Sequence, residues 1–160
     1  MDTILITESE KELQQFLINK GYINAQVTHS VDTSKHKKAT VTYTIHSNEP
    51  YRIRDYQMRL NDPVIDSIAH IKPRKRSWLS NAFHTSTDDY TSLILDSCLF
   101  DRDMLDQERD RITKLLRYRG YYGFNKEYLT YLADSSFQKN VVDLEMFLKP
   151  YRKLLPDGNI

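Results

Sequence analysis

The side chains able to do chemistry are few, and their spacing does not serve it. Five histidines, His29, His36, His46, His70 and His84, show no HxH or HExxH pattern, so no metal site is expected. The single cysteine, Cys98, excludes an internal disulfide and any CxxC site. Beside Leu99 and Phe100 it reads as a buried, inert thiol. Asp88-Asp89 and Asp101…Asp103 have the proximity of a catalytic carboxylate pair, but helix capping and a solvated face explain them more simply. No P-loop, dinucleotide-binding or nucleophile-elbow pattern occurs. An enzyme is not expected, and no cofactor is implied.

Binding chemistry is better represented. Lys72-Pro73-Arg74-Lys75-Arg76, followed by Trp78, is the one dense basic cluster. It would meet anionic lipid head groups at roughly 1 kcal/mol per charge near a membrane, or a nucleic-acid backbone; a solvated loop is the plainer reading. Trp78, Leu79 and Phe83 are costly to expose, so they are expected to dock on the domain or on a partner. Two further groups, Ile23, Ala25, Val27, His29 and Tyr122, Phe124, Tyr128, Tyr131, suit strands that grip an extended peptide. Core packing and cross-strand pairing compete with that role.

The chain of 160 residues is long enough for one ordinary domain or two small ones. Its 23 basic and 22 acidic residues leave a net charge of +1, which argues against a nucleic-acid-coating protein. Hydrophobic content of 39%, with 11 Tyr and 6 Phe, indicates a folded chain. No run approaches the roughly 18 apolar residues of a membrane helix. The N-terminus has no basic stretch leading into an apolar core, so no signal peptide is expected there.

Patterning supplies the elements that would position these residues. Thr7-Glu8-Ser9-Glu10 fits a capping box opening a helix to Lys20, with Leu13, Phe16 and Leu17 as its apolar stripe and Gly21 as its stop. Ile23 to His29 and Ala39 to Ile45 alternate as the strands of a hairpin. Tyr51 to Leu60 reads as a strand whose apolar phase slips near Asp55, the mark of a bulge. Asp62-Pro63 caps and opens a short helix. After the loop at 72–89 and the apolar Leu93-Ile94-Leu95, a helix runs from Asp101 to Arg119 on a stripe of Leu105, Ile112, Leu115 and Leu116. Gly120 ends it, and strands follow at Tyr122–Asp134 and through Val142, Leu144, Met146 and Leu148.

The two halves repeat. Leu13, Phe16, Leu17, Lys20, Gly21 and Tyr22 align with Ile112, Leu115, Leu116, Arg119, Gly120 and Tyr121 at one offset (120 − 21 = 99). Each helix leads to a hairpin, and each hairpin ends in Pro-Tyr-Arg, at Pro50 and at Pro150. Such repetition implies a serial array of small units. The first copy lacks a leading strand and helix unless residues 1–6 supply part of them.

This pattern resembles the POTRA domain, a β-α-α-β-β unit found in series before outer-membrane β-barrels. The resemblance rests on Phe100-Asp101…Leu105-Asp106-Gln107-Glu108-Arg109-Asp110-Arg111-Ile112…Gly120-Tyr121-Tyr122-Gly123-Phe124 and on the Glu49-Pro50-Tyr51-Arg52-Ile53 junction. Together these look like the periplasmic part of a BamA/TamA-type assembly protein, closest in wording to the TamA-like branch of Bacteroidetes. The chain departs from the family in carrying Ser97-Cys98-Leu99 where a glycine usually precedes the Phe-Asp, and in its longer loop at 72–89.

The resemblance implies an α+β fold of tandem units, each a three-stranded mixed sheet with two helices on one face. It divides the chain into a truncated unit at 1–49, a complete unit at 50–150, and a linker or further unit from 151 to 160. Strand order 1-3-2 would leave the first hairpin strand at an edge, open to an extended client. The implied role is periplasmic, attached to the outer membrane through the protein's own C-terminal β-barrel, binding unfolded outer-membrane proteins and passing them on. That barrel does not fit within this chain. A docking scaffold for assembly partners is the alternative, and a nucleic-acid module using Lys72–Arg76 the more distant one, disfavoured by the near-neutral charge.

Overall fold

The computed structural model describes residues 3–34, 38–70 and 91–150. Their elements, in order, are α1 (Thr3–Asn19), β1 (Gln26–Asp32), β2 (Thr40–His46), β3 (Arg52–Met58), α2 (Pro63–Ala69), α3 (Arg102–Tyr118), a 3-10 turn at Lys126–Tyr128, β4 (Leu129–Asp134) and β5 (Val141–Leu148). The fold is α+β, as expected. β1 and β2 pair antiparallel, with Val27 opposite Ile45 and His29 opposite Tyr43. The second sheet is mixed, in the order β3-β5-β4, with β3 parallel and β4 antiparallel to the central β5.

Strand β5 is central because every second residue can be buried against the helices. Val142, Leu144 and Met146 are buried, while Asp143 and Glu145 between them are only partly covered. Ile112 and Leu116 of α3 and Ile65 and Ala69 of α2 join Met146, Leu129, Phe124 and Leu60 in one core cluster. Ile53, Ile94, Leu105 and Leu144 form another. Full burial of one such aliphatic side chain contributes about 1.5–3 kcal/mol. The bulge expected near Asp55 is present: the β3–β5 register slips between Ile53 and Asp55, leaving Arg54 over. Asp62 caps α2 by accepting from the amides of Val64 (2.9 Å) and Ile65 (3.1 Å).

Helix α1 begins four residues before the expected capping box, so Thr7 lies inside it. Glu10 does not fold back on the helix start; its carboxylate pairs with His29 of β1. The expected stripe is also only partly right, since Leu13 and Leu17 are half-buried but Phe16 is 57% exposed, with Lys20 over its ring. Among the described side chains of α1 the buried one is Ile6, whose carbonyl accepts from the Tyr43 hydroxyl.

The repeat is real at the level of single hydrogen bonds. The Tyr22 amide donates to Leu17 (3.0 Å), and the Tyr121 amide to Leu116 (3.1 Å). Gly21 donates to Ile18 and Gly120 to Arg117, both at 3.1 Å, and Ala25 to Tyr22 and Phe124 to Tyr121, both at 2.9 Å. Both glycines have φ near +100° (+93° and +101°), where a side chain is strained.

The C-terminal end of α1 is tied to the start of α3. Lys20 Nζ bridges Asp101 Oδ2 (2.9 Å) and Asp103 Oδ2 (2.7 Å), and Arg102 donates to Asn19. The Tyr51 amide donates to the Gly21 carbonyl (2.8 Å), and Phe100 to Tyr51 (3.0 Å). A Cβ on Gly21 would stand 3.1 Å from the Phe100 carbonyl oxygen and 3.3 Å from that of Tyr51. Asp101 therefore caps α3 and anchors α1 at once.

Candidate functional site

The two outer edges of the second sheet differ. Along the start of β3, Ile53 donates to Cys98 (2.9 Å), Ser97 donates back to Ile53 (2.8 Å), and Arg52 bridges to Leu99. That edge is closed where the bulge sits. Strand β4 has β5 on one side and no strand on the other among the described residues. On the sheet face away from the helices β4 presents Thr130, Leu132 and Asp134, opposite Phe147, Glu145 and Asp143. Leu132 is 58% exposed. Nearby, Arg54 pairs with Asp143 and stacks on Phe137, 3.7 Å from the ring centroid, fixing the outer corner of this face. Strand β1 is likewise paired on one side, and in the first sheet β2 has no counterpart of β3 among the described residues.

The expected gripping residues divide between these edges and the core. Val27 and His29 are in β1; Val27 is buried, and His29 pairs with Glu10 and faces the Tyr43 ring. Ile23 and Ala25 precede the strand. The Asn24 carbonyl between them accepts from the Asn48 side chain (2.8 Å), and Ala25 donates into a turn, so the ladder starts only at Gln26.

In the second hairpin the strand begins at Leu129, seven residues later than expected. Two guanidinium groups take the carbonyls that a longer strand would need: Arg117 donates to Phe124 (2.8 Å) and Arg109 to Lys126 (3.0 and 3.2 Å). Asn125 then caps the 3-10 turn by accepting from Glu127. Tyr122 is 81% exposed in the loop, whereas Phe124 is buried in the core and meets Tyr128 edge-on at 5.5 Å. Tyr131 alone of this group lies in β4, and it faces the helices, its hydroxyl donating to Leu105 (2.9 Å). The exposed large apolar residue of this strand, Leu132, was not among those expected.

A buried ion pair was also missed. Glu108 and Arg111 on α3 face inward, joined through Oε1–Nη2 and Oε2–Nε bonds of 2.8 Å each, and Glu108 Oε2 also accepts from the Leu93 amide (3.0 Å). Glu108 falls in phase with the stripe Leu105, Ile112, Leu115, which is the signal that could have placed it inside. Tyr56 and Tyr131 lie over this region. Burial, together with the negative charge of Glu108, pushes both phenols well above their ordinary value, so both act as neutral donors. Burial works against the Arg111 charge, but Glu108 overcomes it and raises that group.

Cys98 is half-buried rather than buried, and its carbonyl, not its thiol, is what the strand uses. Among the described residues no cluster of three His, Cys, Asp or Glu side chains has metal-binding geometry, and no helix is long and apolar enough to cross a membrane. Lys72, Arg74, Lys75, Arg76 and Trp78, with the rest of the loop at 72–89, lie outside the described residues.

Residues 2–48 match the POTRA family model, described as a surface antigen variable number repeat. No curated protein matches the chain. Among solved structures, BamA of Haemophilus ducreyi lacking POTRA domains 1–3 is similar at 13% identity and a TM-score of 0.50, covering 94% of this chain and 24% of that one. BamA POTRA3-5 of Haemophilus influenzae is similar at 16% identity and a TM-score of 0.41, covering 91% of this chain and 47% of that one. The chain thus spans about a quarter and about half of these two relatives. At such identities the likeness to the Haemophilus ducreyi structure is one of fold: helices on one face of a three-stranded mixed sheet. Neither comparison singles out the TamA-like branch of Bacteroidetes.

Proposed function

We propose that these POTRA units, a partial one at 1–49 and a complete one at 50–150, belong to the periplasmic part of an outer-membrane protein assembly factor. They bind extended segments of unfolded outer-membrane proteins by strand addition and pass them to the protein's own C-terminal β-barrel. The observation that carries this reading is the outer edge of β4, which pairs with no strand among the described residues, in a sheet whose opposite edge is closed by Ser97–Leu99. A strand edge with free amides and carbonyls takes an extended chain through backbone bonds, which tolerate many client sequences. Leu132 and Phe147 on the outer face offer apolar contacts for alternate client side chains. The edge of β1, with Val27 and His29, offers a second such strand. The basic loop with Trp78 would meet the anionic membrane surface nearby.

Exposed apolar residues on α1, among them Ile4, Leu5 and Phe16, favour a second reading in which a folded assembly partner docks there. The two readings separate in one backbone NMR titration with an extended peptide of outer-membrane β-strand sequence. Strand addition shifts the amides of Leu129–Asp134 or Gln26–Asp32 progressively. A fold that stays intact at millimolar peptide with no shifts along either strand defeats strand addition and leaves the docking scaffold.

A further inference from the structure

We infer that Arg119, Gly120 and the flanking Tyr118 and Tyr122 form one half of a second joint between units. This inference rests on the reading of the chain as a POTRA array. In the joint the structure contains, the end of α1 supplies four things: the Lys20 cation, the Gly21 carbonyl, the missing Cβ of Gly21, and the Asn19 side chain. The offset of 99 maps these onto Arg119, Gly120 and Tyr118, and the capping bonds of the two helix ends coincide one by one.

What differs is the cover. At Gly21 a Cβ would strike the Phe100 and Tyr51 backbones; at Gly120, with the same backbone conformation, it would meet nothing within 4 Å. The Gly120 carbonyl accepts no bond from the described residues, and Arg119 has no carboxylate partner among them. Tyr118, at the place of Asn19, is among the most exposed side chains described. A glycine in the left-handed region satisfies the helix stop at both sites, so the stop alone does not account for an arginine and two bare tyrosines around Gly120.

The occupant is a following unit of the same chain, entered through Pro150-Tyr151-Arg152, the sequence that repeats Pro50-Tyr51-Arg52. Its chemistry follows from the first joint. The Gly120 carbonyl is placed to accept from a backbone amide of that unit, as the Gly21 carbonyl accepts from Tyr51. A helix N-terminus with an acidic pair, like Asp101 and Asp103, receives the Arg119 guanidinium. Arginine at this position can hold both carboxylates in a planar fork, where Lys20 offers a point charge.

The test uses the natural protein extended through the residues after 160, with spin labels at Lys11, at Lys139 and at one exposed position of the next unit, in a Cys98→Ala background. Lys20→Glu broadens the Lys11–Lys139 distance distribution and calibrates the effect. The expected result is a narrow distribution from Lys139 to the next unit that Arg119→Glu broadens to a like degree. In the 160-residue chain the same substitution should leave the melting temperature unchanged. An equally broad distribution before and after Arg119→Glu overturns the joint. So does a 160-residue chain that Arg119→Glu melts, or a natural continuation lacking an extended strand and an acid-capped helix. None of these outcomes bears on peptide shifts along β4, so joint and client capture fail separately.

Discussion

Glu108 and Arg111 are joined by two bonds of 2.8 Å inside the core, with Glu108 0% exposed. A buried pair of this kind contributes little net stability, because desolvation offsets the attraction, yet breaking it strands a charge. Glu108→Leu should therefore destabilise by about 3–5 kcal/mol, since the two Arg111 bonds to Glu108 and the Leu93 amide bond are all lost. Adding Arg111→Met should recover most of that loss. Urea midpoints of the wild type, the single and the double variant decide it: a double variant no better than the single one would mean that the pair does not act as a unit.

Ser97 has φ +65°, in the left-handed region that favours glycine. It is held there by its amide bond to Ile53 and by Arg52, which donates to its carbonyl (2.9 Å) at the closed edge of β3. A non-glycine residue in this conformation is strained by about 1 kcal/mol. Ser97→Gly should stabilise by roughly 0.5–1 kcal/mol, raising the urea midpoint without changing the slope. A lower midpoint would mean that the serine side chain holds the segment and outweighs the strain.

Tyr122 and Phe124 show where the sequence was legible and where it was not. Both are aromatic, two residues apart, and they alternate as in a strand; one is nearly bare and the other is 7% exposed in the core. What separates them is a pair of arginines on α3, Arg109 and Arg117, whose guanidinium groups reach carbonyls 17 and 7 residues away. Periodicity is a local signal and carries no word of such distant donors. Helix α3 was legible because its stripe, its Asp101 cap and its Gly120 stop are all local. Helix α1 was misplaced at its start because His29, from another element, took the carboxylate of the expected capping box. The open edge was foreseen from family topology, but its residues were not, because the hairpin's start set which of them lie in β4.

Asp101 lies below the ordinary carboxylate value of 3.8: burial works against it, but Lys20 and the amides of Asp103 and Met104 outweigh that. Asp106 is drawn down first by Lys126. A carboxyl depressed on folding contributes stability that is present above its unfolded value and lost as pH falls through its folded value. Lys20 is raised above 10.5 first by Asp103 and then by Asp101, and Lys126 by Asp106 and Asp110, so their share is present below that value and lost as pH rises through the folded one. The urea midpoint should hold through neutrality and fall below about pH 4 and above about pH 10. Asp101→Asn keeps a good cap while removing the charge, so both limbs should become shallower. Unchanged limbs would assign the dependence to other groups.

Leu132 tests the edge of β4 directly. It points away from the helices, opposite Glu145, and loses little by substitution, so Leu132→Lys should change stability by no more than about 0.5 kcal/mol. A lysine on an edge strand is nevertheless the device by which sheets discourage added strands. Peptide-induced shifts along Leu129–Asp134 should weaken in this variant, while those along Gln26–Asp32 persist. Leu132→Ile, which keeps an apolar β-former, should bind as the wild type does. If Leu132→Lys takes the peptide with undiminished shifts at β4, the outer face of that strand has no part in recognition, and the client meets this protein elsewhere.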